Sequence, residues 1–218
     1  MNSRLLSILF VSAALAFAGC KKDNNSPRTH ILLQDHFDDN TNGWQTGSLI
    51  PGKLSAEIKD GKYRINSKDS SYNYFLTLQD NPFSGESATV RGIEASFRHV
   101  SGEKDDEMGF VFNVEGDYEF YNEFLISDYG DFSIWSESGD IVNWTDAPSV
   151  KVGGVNVLRI ENQGDQYDFF INGKKVASET ISNTALGPFG FDIYAAPHAA
   201  SQQGSAVLEV DDLKAYTR

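Results

Sequence analysis

The chain has 218 residues and a formal net charge of −13, with 31 acidic residues against 18 basic ones. Binding to nucleic-acid phosphates needs clustered Lys and Arg, so this acidic excess argues against a nucleic-acid partner. The single cysteine, Cys20, excludes a disulfide framework within the chain.

The first segment has the three parts of an export signal. Arg4 supplies the positive region, an apolar run follows from Leu5 to Ala18, and small residues precede Cys20. The run is shorter than the roughly 20 apolar residues that a membrane-spanning helix needs. Residues 1–19 are therefore predicted to be a signal peptide that is removed on export.

The residues around the predicted cut resemble the lipobox of bacterial lipoproteins, in which a cysteine is acylated and becomes the N-terminal residue. The motif here is Phe17, Ala18, Gly19 and Cys20, with Phe17 at the position of the usual Leu. Acylation also explains a lone cysteine in an exported chain. The resemblance implies that Cys20 anchors the protein to the lipid bilayer of the bacterial cell envelope, because two or more acyl chains give stable attachment.

Residues 20–30 carry the lipidated cysteine and a polar stretch, which predicts a flexible tether. Ten such residues span on the order of 17 Å, so the folded part is expected close to the bilayer. Lys21, Lys22 and Asp23 resemble the charged residues that follow the cysteine in lipoproteins of the Bacteroidetes. That resemblance implies the outer membrane and leaves both its periplasmic and its surface face open.

Residues 31–218 alternate apolar and polar positions with period two, which is typical of strands. Turn sequences such as Asp60-Gly61 and Asn172-Gly173 separate the runs, and the second suits a type I′ turn with positive φ at both central residues. The pattern predicts one domain of short antiparallel strands with less than about one tenth of helix. Inward-facing positions are predicted at Phe110, Phe112, Phe120, Phe124, Ile126, Phe132, Ile134, Tyr167, Phe169 and Ile171.

Motifs along this whole domain resemble the concanavalin A-like jelly rolls. They include Asp35-His36-Phe37-Asp38 with Gly43-Trp44, Asp60-Gly61-Lys62-Tyr63, Gly109-Phe110-Val111-Phe112, Phe170-Ile171-Asn172-Gly173 and Val210-Asp211-Asp212-Leu213. Within that superfamily the chain is most similar to laminin-G-like and 3-keto-disaccharide-hydrolase-like domains of bacterial surface proteins. The resemblance implies an all-β, concanavalin A-like jelly-roll β-sandwich with antiparallel sheets, and it speaks to fold more than to activity.

One group of carboxylates resembles a catalytic motif. The segment Glu115-Gly116-Asp117-Tyr118-Glu119 is similar to the Glu-x-Asp-x-Glu signature of family 16 glucanases, whose carboxylates alternate along one strand. Here the segment falls between two apolar-alternating runs, where a hairpin turn is expected. The sequence shows no other nucleophile with a base, and its histidines show no metal-binding spacing, so no catalytic residue is assigned.

Aromatic and acidic side chains share the outer face of two neighbouring strands. If Phe124 points inward, period two places Tyr121 and Glu123 on the opposite face, and Trp135 joins them. Aromatic rings stack on the apolar faces of sugar rings, while carboxylates bind hydroxyl groups. We predict a carbohydrate-binding surface of Tyr121, Glu123, Trp135 and Trp144; the alternative is that these rings pack under loops or strand edges.

Acidic residues near the two ends of the domain predict a structural calcium ion. The resemblance implies that the first and last strands lie side by side, which would bring Asp35 and Asp38 near Asp211. Calcium takes about six to eight oxygen ligands, and these carboxylates could supply several of them. Strand-end solvation and turn capping are the alternative.

Together these features predict a membrane-anchored envelope lipoprotein that binds glycan and assists polysaccharide capture or degradation. Two alternatives stay open: a hydrolase of 3-keto-disaccharides or glucosides, which the resemblance implies, and a structural or adhesive envelope protein. A cluster of carboxylates in a concave groove would favour the hydrolase, and a flat aromatic strip would favour binding. The sequence indicates no oligomeric state.

Overall fold

The computed structural model describes residues 29–78, 90–116, 119–182, 186–197 and 204–217. The predicted signal peptide, Cys20, most of the tether, and Asp117 and Tyr118 of the acidic motif lie outside these residues. Strands dominate the described part, which contains no α-helix, as the alternating pattern predicts. None of its residues forms a helix that is long and apolar enough to cross a membrane.

The strands follow one another along the chain with short connections. Their bounds are β1 His30–Asp35, β2 Gly47–Ile50, β3 Leu54–Lys59, β4 Lys62–Ser67, β5 Tyr74–Thr77, β6 Gly92–Ser101, β7 Glu107–Glu115, β8 Phe120–Ser127, β9 Asp131–Ser136, β10 Gly139–Asp146, β11 Val155–Gln163, β12 Gln166–Ile171, β13 Lys174–Thr180, β14 Gly190–Tyr194 and β15 Ala206–Thr217.

Two antiparallel sheets pack face to face. The larger has the order β13-β12-β11-β6-β15-β4-β3-β2, with β1 added beside β15. The smaller has the order β10-β9-β8-β7-β14-β5. The predicted pairing of the first and last strands is confirmed, because β1 runs antiparallel to β15 from His30 opposite Thr217 to Asp35 opposite Leu213. In the smaller sheet, β14 lies between β7 and β5, so strands distant in sequence are neighbours.

Apolar side chains from the inner faces of both sheets form one core. Phe110, Phe112, Phe124 and Phe169 are fully buried there, as period two predicts. Phe120 is the exception, with 55% of its surface exposed. It pairs with Glu115 just beyond a register shift in β7, at the very start of β8, where the sandwich no longer covers an inward-facing ring.

The Asn-Gly turn between β12 and β13 has the predicted conformation. Asn172 has φ of 52° and Gly173 has φ of 79°, both in the left-handed region that a type I′ turn requires. The register of this hairpin is thereby set by its turn, with Ile171 opposite Lys174.

A buried ion-pair triad fixes one end of the smaller sheet. His99, near the end of β6, contacts Asp106 Oδ2 through Nε2 at 2.9 Å and Asp128 Oδ2 through Nδ1 at 2.8 Å. Asp106 also accepts hydrogen bonds from the backbone of Glu103 and of Ala196, which follows β14. The triad therefore ties the start of β7 to the end of β14.

Gly102 makes room for this triad. Its φ is 142°, and a Cβ there would lie 1.8 Å from Asp106 Oδ2. A side chain at this position would displace the carboxylate that holds His99.

Candidate functional site

The outer face of the smaller sheet carries an open groove of about 570 Å³. Its floor comes from β7, β8, β9 and β14, one wall from the segment that precedes β5, and the other from β10. The residues that line it are Ser70, Ser71, Tyr72, Asn73, Phe75, Glu107, Tyr121, Glu123, Leu125, Ser133, Trp135, Asp140, Trp144 and Tyr194.

Three aromatic rings form a row along the groove. The ring centroids of Tyr121 and Trp135 are 5.7 Å apart, and those of Phe75 and Tyr121 are 4.8 Å apart in an edge-to-face arrangement. Phe75 belongs to β5 and Tyr121 to β8, with β14 and β7 between these strands. The two rings therefore meet over the intervening strands and cover what lies beneath them.

All four residues predicted from the sequence to form a carbohydrate surface line this one groove. Glu123 and Trp135 face each other directly in the pairing of β8 with β9. Trp144 stands on β10 at the rim, where 42% of its surface is exposed. Period two places Tyr121, Glu123 and Trp135 correctly, whereas it does not specify the facing of Trp144, and the carbohydrate-binding role of all four stays a prediction.

Two acidic side chains meet on the groove floor. Glu123 of β8 and Asp192 of β14 are both buried, Asp192 completely. Asn73 Nδ2 donates to Glu123 Oε1 at 3.2 Å and to Asp192 Oδ2 at 3.3 Å. No donor among the described residues reaches Asp192 Oδ1. Glu123 and Asp192 are themselves within hydrogen-bonding reach, and two adjacent buried carboxylates cannot both be charged, so the pair is expected to share a proton.

Burial determines the protonation of this pair. It raises the pKa of Asp192 well above its usual value, and the neighbouring Glu123 carboxylate raises it further. Burial also raises the pKa of Glu123. The pair is therefore expected to hold one proton, with Asp192 as its donor and Glu123 presenting the remaining charge to the groove.

Gly109 allows β7 and β8 to pack closely beside the carboxyl pair. In the strand register it lies between Asp192 of β14 and Leu125 of β8, on the same face as Glu107. A Cβ on Gly109 would lie 1.9 Å from the backbone oxygen of Phe124, so any larger residue would force β7 and β8 apart.

Glu107 is a third carboxyl group of the floor. Burial raises its pKa to about 7, and the charges of Glu123 and Asp131 act in the same direction. It pairs in register with Tyr194 of β14, which also lines the groove. A carboxyl group with such a pKa exchanges protons near neutral pH, which general acid or base chemistry requires.

Solved structures of similar fold include carbohydrate-binding and glycan-degrading domains. The carbohydrate-binding module CBM66 from Bacillus subtilis is 15% identical, covers 82% of this chain and 98% of its own, and gives a TM-score of 0.55. The catalytic domain of an endo-1,3-β-glucanase from Thermotoga petrophila is 14% identical over 87% and 98%, with a TM-score of 0.59. A family 7 alginate lyase is 13% identical over 77% and 85%, with a TM-score of 0.53.

The fold is a concanavalin A-like jelly roll. At identities this low, the likeness shows the fold alone. No family model matches the sequence, and no curated protein does either.

The described residues of the acidic motif, Glu115, Gly116 and Glu119, do not line the groove. Glu115 ends β7 and Phe120 begins β8, and the backbone N–H of Glu119 donates to the carbonyl oxygens of Glu115 and Gly116. The predicted hairpin at this position is confirmed by the antiparallel pairing of β7 with β8. The carboxyl groups of the floor come instead from three different strands.

The sequence analysis does not assign Asp192 or Glu107 to the site, although strand alternation around each residue indicates that its side chain faces outward. In Phe191-Asp192-Ile193-Tyr194 the two apolar residues face the core, so Asp192 and Tyr194 must face outward on the groove side. The same alternation places Glu107 beside the buried Met108. Only the pairing of β14 with β7 reveals that these acids converge.

The residues predicted to bind calcium have different surroundings. Asp35 is buried and accepts hydrogen bonds from Phe37 N at 2.7 Å, Trp44 Nε1 at 2.7 Å and Asn42 Nδ2 at 2.8 Å. Its carboxylate holds the loop after β1 in place. Asp38 is exposed on that loop, and Asp211 is ion-paired with Lys62.

Another set of possible metal ligands lies nearby. Among the described residues, the group of three whose ligand atoms all lie within 4.8 Å of one another is His36, Asp211 and Asp212. His36 Nδ1 is 2.9 Å from Asp212 Oδ1. Calcium binding by Asp35, Asp38 and Asp211 stays a prediction. The carboxylate oxygens of Asp35 already accept hydrogen bonds from protein donors.

Proposed function

We propose that this protein binds a polysaccharide or oligosaccharide in the groove of the smaller sheet, as an accessory to polysaccharide capture or degradation. The row of Phe75, Tyr121 and Trp135 carries the proposal, because aromatic rings along an open groove can stack on successive sugar rings. Glu123 and Asn73 lie beside the rings and can bind sugar hydroxyl groups. The polysaccharide-directed jelly rolls of similar structure support this assignment.

Affinity electrophoresis through gels that contain soluble polysaccharides tests the proposal. A plant or algal β-glucan is expected to retard the protein. It is also expected to quench tryptophan fluorescence, since Trp135 and Trp144 are two of the three tryptophans and both line the groove. Unchanged mobility and fluorescence across a broad glycan panel would remove the glycan-binding function.

Hydrolysis of a glycosidic bond is a second candidate function, and Glu107 favours it. A carboxyl group with a pKa of about 7 is suited to protonate a leaving-group oxygen at neutral pH. Glu123 lies opposite Val111, four positions along β7 from Glu107, or about 13 Å between backbones. The charge of Glu123 nevertheless raises the pKa of Glu107, so the two carboxyl groups interact and could serve as base and acid in one reaction.

Release of new reducing ends from β-glucan oligosaccharides, or of sugar from a 3-keto-glucoside, measures this second function. Glu107→Gln is expected to lower the rate by about 100-fold or more, because an amide cannot donate the proton. Glu94→Gln on the outer face of the larger sheet is the matched control and is expected to leave the rate unchanged. A wild-type protein that binds glycan and cleaves neither substrate would restrict the groove to binding.

We also propose that acylation of Cys20 holds the jelly roll at a bacterial membrane, where the bound glycan would be kept close to the cell envelope. The lipobox-like residues before Cys20 and the short apolar run support this anchor. Cys20→Ala is expected to move the protein into soluble fractions and to abolish labelling with radioactive palmitate. Palmitate incorporation into the Cys20→Ala protein would contradict the assignment.

A further inference from the structure

The groove is lined by acidic side chains and, among the described residues, by no basic one. Glu107, Glu123 and Asp140 line it, and Asp192 lies beneath. The raised pKa of Glu107 follows from burial and from the surrounding carboxylates. A uronic acid or a sulfated sugar would add charge of the same sign to this site, so the groove disfavours anionic glycans.

Aromatic rings surround these carboxyl groups. Tyr121 and Trp135 stand on the floor beside Glu123, and Tyr72 and Trp144 are exposed at the two rims. The face of an aromatic ring attracts a cation, and the attraction strengthens when the cation is partly removed from water. Carboxylates and ring faces together form the chemistry that recognises an ammonium group.

The buried pair of Asp192 and Glu123, which shares one proton, determines where the negative charge of the groove lies. Asp192 is completely buried and does not line the groove, while Glu123 is 4% exposed and lines it, with Asn73 as its neutral donor. The pair therefore presents one negative charge at Glu123, with no basic partner to neutralise it among the described lining residues. An ammonium group of a ligand would supply the missing positive charge.

We propose that the groove prefers glycans of 2-amino-2-deoxy sugars with free amino groups, which are cationic, over neutral glycans of the same backbone. The preference rests on the proposed glycan-binding function of this groove. The sugar rings would stack along Phe75, Tyr121 and Trp135, and an ammonium group would bind between Glu123 and the ring of Trp135, which is its direct neighbour in register.

Three oligosaccharides of equal length and identical β-1,4 backbone test this preference. They are a cello-oligosaccharide, an N-acetylated chito-oligosaccharide and its de-N-acetylated form, which differ only in the hydroxyl, acetamido or ammonium group at carbon 2. Calorimetric titration near pH 6.5, where a primary amine is still largely protonated, measures all three affinities. The ammonium form is expected to bind about tenfold more tightly than either neutral form. Its advantage is expected to shrink as salt is added.

Glu123→Gln is the informative variant. Protonated Asp192 can still donate to the amide oxygen of the new side chain, so the floor stays satisfied while its charge is lost. The ratio of ammonium to neutral affinity is expected to fall toward one. The control Glu94→Gln, which removes one charge from the opposite side of the protein, is expected to leave this ratio unchanged.

The outcomes separate the two proposals. Binding of some glycan, with no advantage for the ammonium form or with an advantage that Glu123→Gln leaves intact, would overturn the amino-sugar preference and keep the glycan-binding function. Failure of all three oligosaccharides and of every polysaccharide in the panel would overturn both.

Discussion

His99→Gln is expected to lower the free energy of unfolding by about 3 to 5 kcal/mol, the usual cost of removing one partner from a buried ion pair. The substitution leaves the carboxylates of Asp106 and Asp128 close together without the positive charge between them. Thermal unfolding followed by circular dichroism measures the effect, which corresponds to a fall of roughly 6 to 20 °C in Tm for a domain of this size.

The stability that His99 contributes is expected to decrease as the pH rises. The hydrogen bond to Asp106, together with that to Asp128, raises the pKa of His99 to about 9 from its usual value of 6.5. The imidazolium is therefore stabilised in the folded state, and its contribution is complete below about pH 6.5 and lost as the pH rises through about 9. The difference in Tm between wild type and His99→Gln is expected to narrow over that interval.

His36→Gln is the matched control. His36 makes the same kind of contact with Asp212, but both side chains are more than half exposed. An exposed ion pair contributes at most about 1 kcal/mol, so this variant is expected to unfold close to wild type. A loss at His99 no larger than the loss at His36 would show that the triad does not hold the sheet end together.

Trp135→Ala is expected to weaken glycan binding by about 30-fold or more while the fold survives. A central aromatic contact in a binding site typically contributes about 2 kcal/mol or more, which corresponds to that factor. Trp135 is half-buried on the groove floor and contacts Tyr121, so its removal takes away one end of the aromatic row. Calorimetric titration with the glycan identified in the panel measures the loss.

The other two tryptophans provide the comparison. Trp44 is 1% exposed in the core, and Trp44→Ala is expected to cost about 3 to 5 kcal/mol of stability through the cavity it leaves. Trp144 stands on the rim, and Trp144→Ala is expected to weaken binding less than Trp135→Ala. If Trp135→Ala lowered stability as much as Trp44→Ala, Trp135 would be a structural residue and the groove assignment would lose its main support.

Much of the groove could be predicted because strand alternation is a local property. Phe124 faces the core, so Tyr121 and Glu123 had to face outward, and the same rule applied to Trp135. The rule fails where a strand leaves the cover of the opposite sheet, and Phe120 is exposed for that reason.

The carboxyl pair could not be predicted in the same way. Asp192 reaches Glu123 only because β14 pairs with β7, and neither propensity nor periodicity specifies which distant strands become neighbours. Metal ligands are difficult to predict from sequence for a related reason, as Asp35 shows. Its oxygens accept from Trp44, Asn42 and a backbone N–H, and the sequence spacing does not distinguish such a carboxylate from one that is free for calcium.

The position of β14 between β7 and β5 also affects when the groove forms during folding. Phe75, Glu123 and Asp192 come from widely separated parts of the chain, and pairings of such high sequence separation are slow to form. Hairpins such as β8 with β9 can form early and already carry Tyr121 and Trp135. The acidic floor is complete only when β14 enters the sheet, so the onset of ligand binding during refolding is expected to mark closure of the whole sandwich.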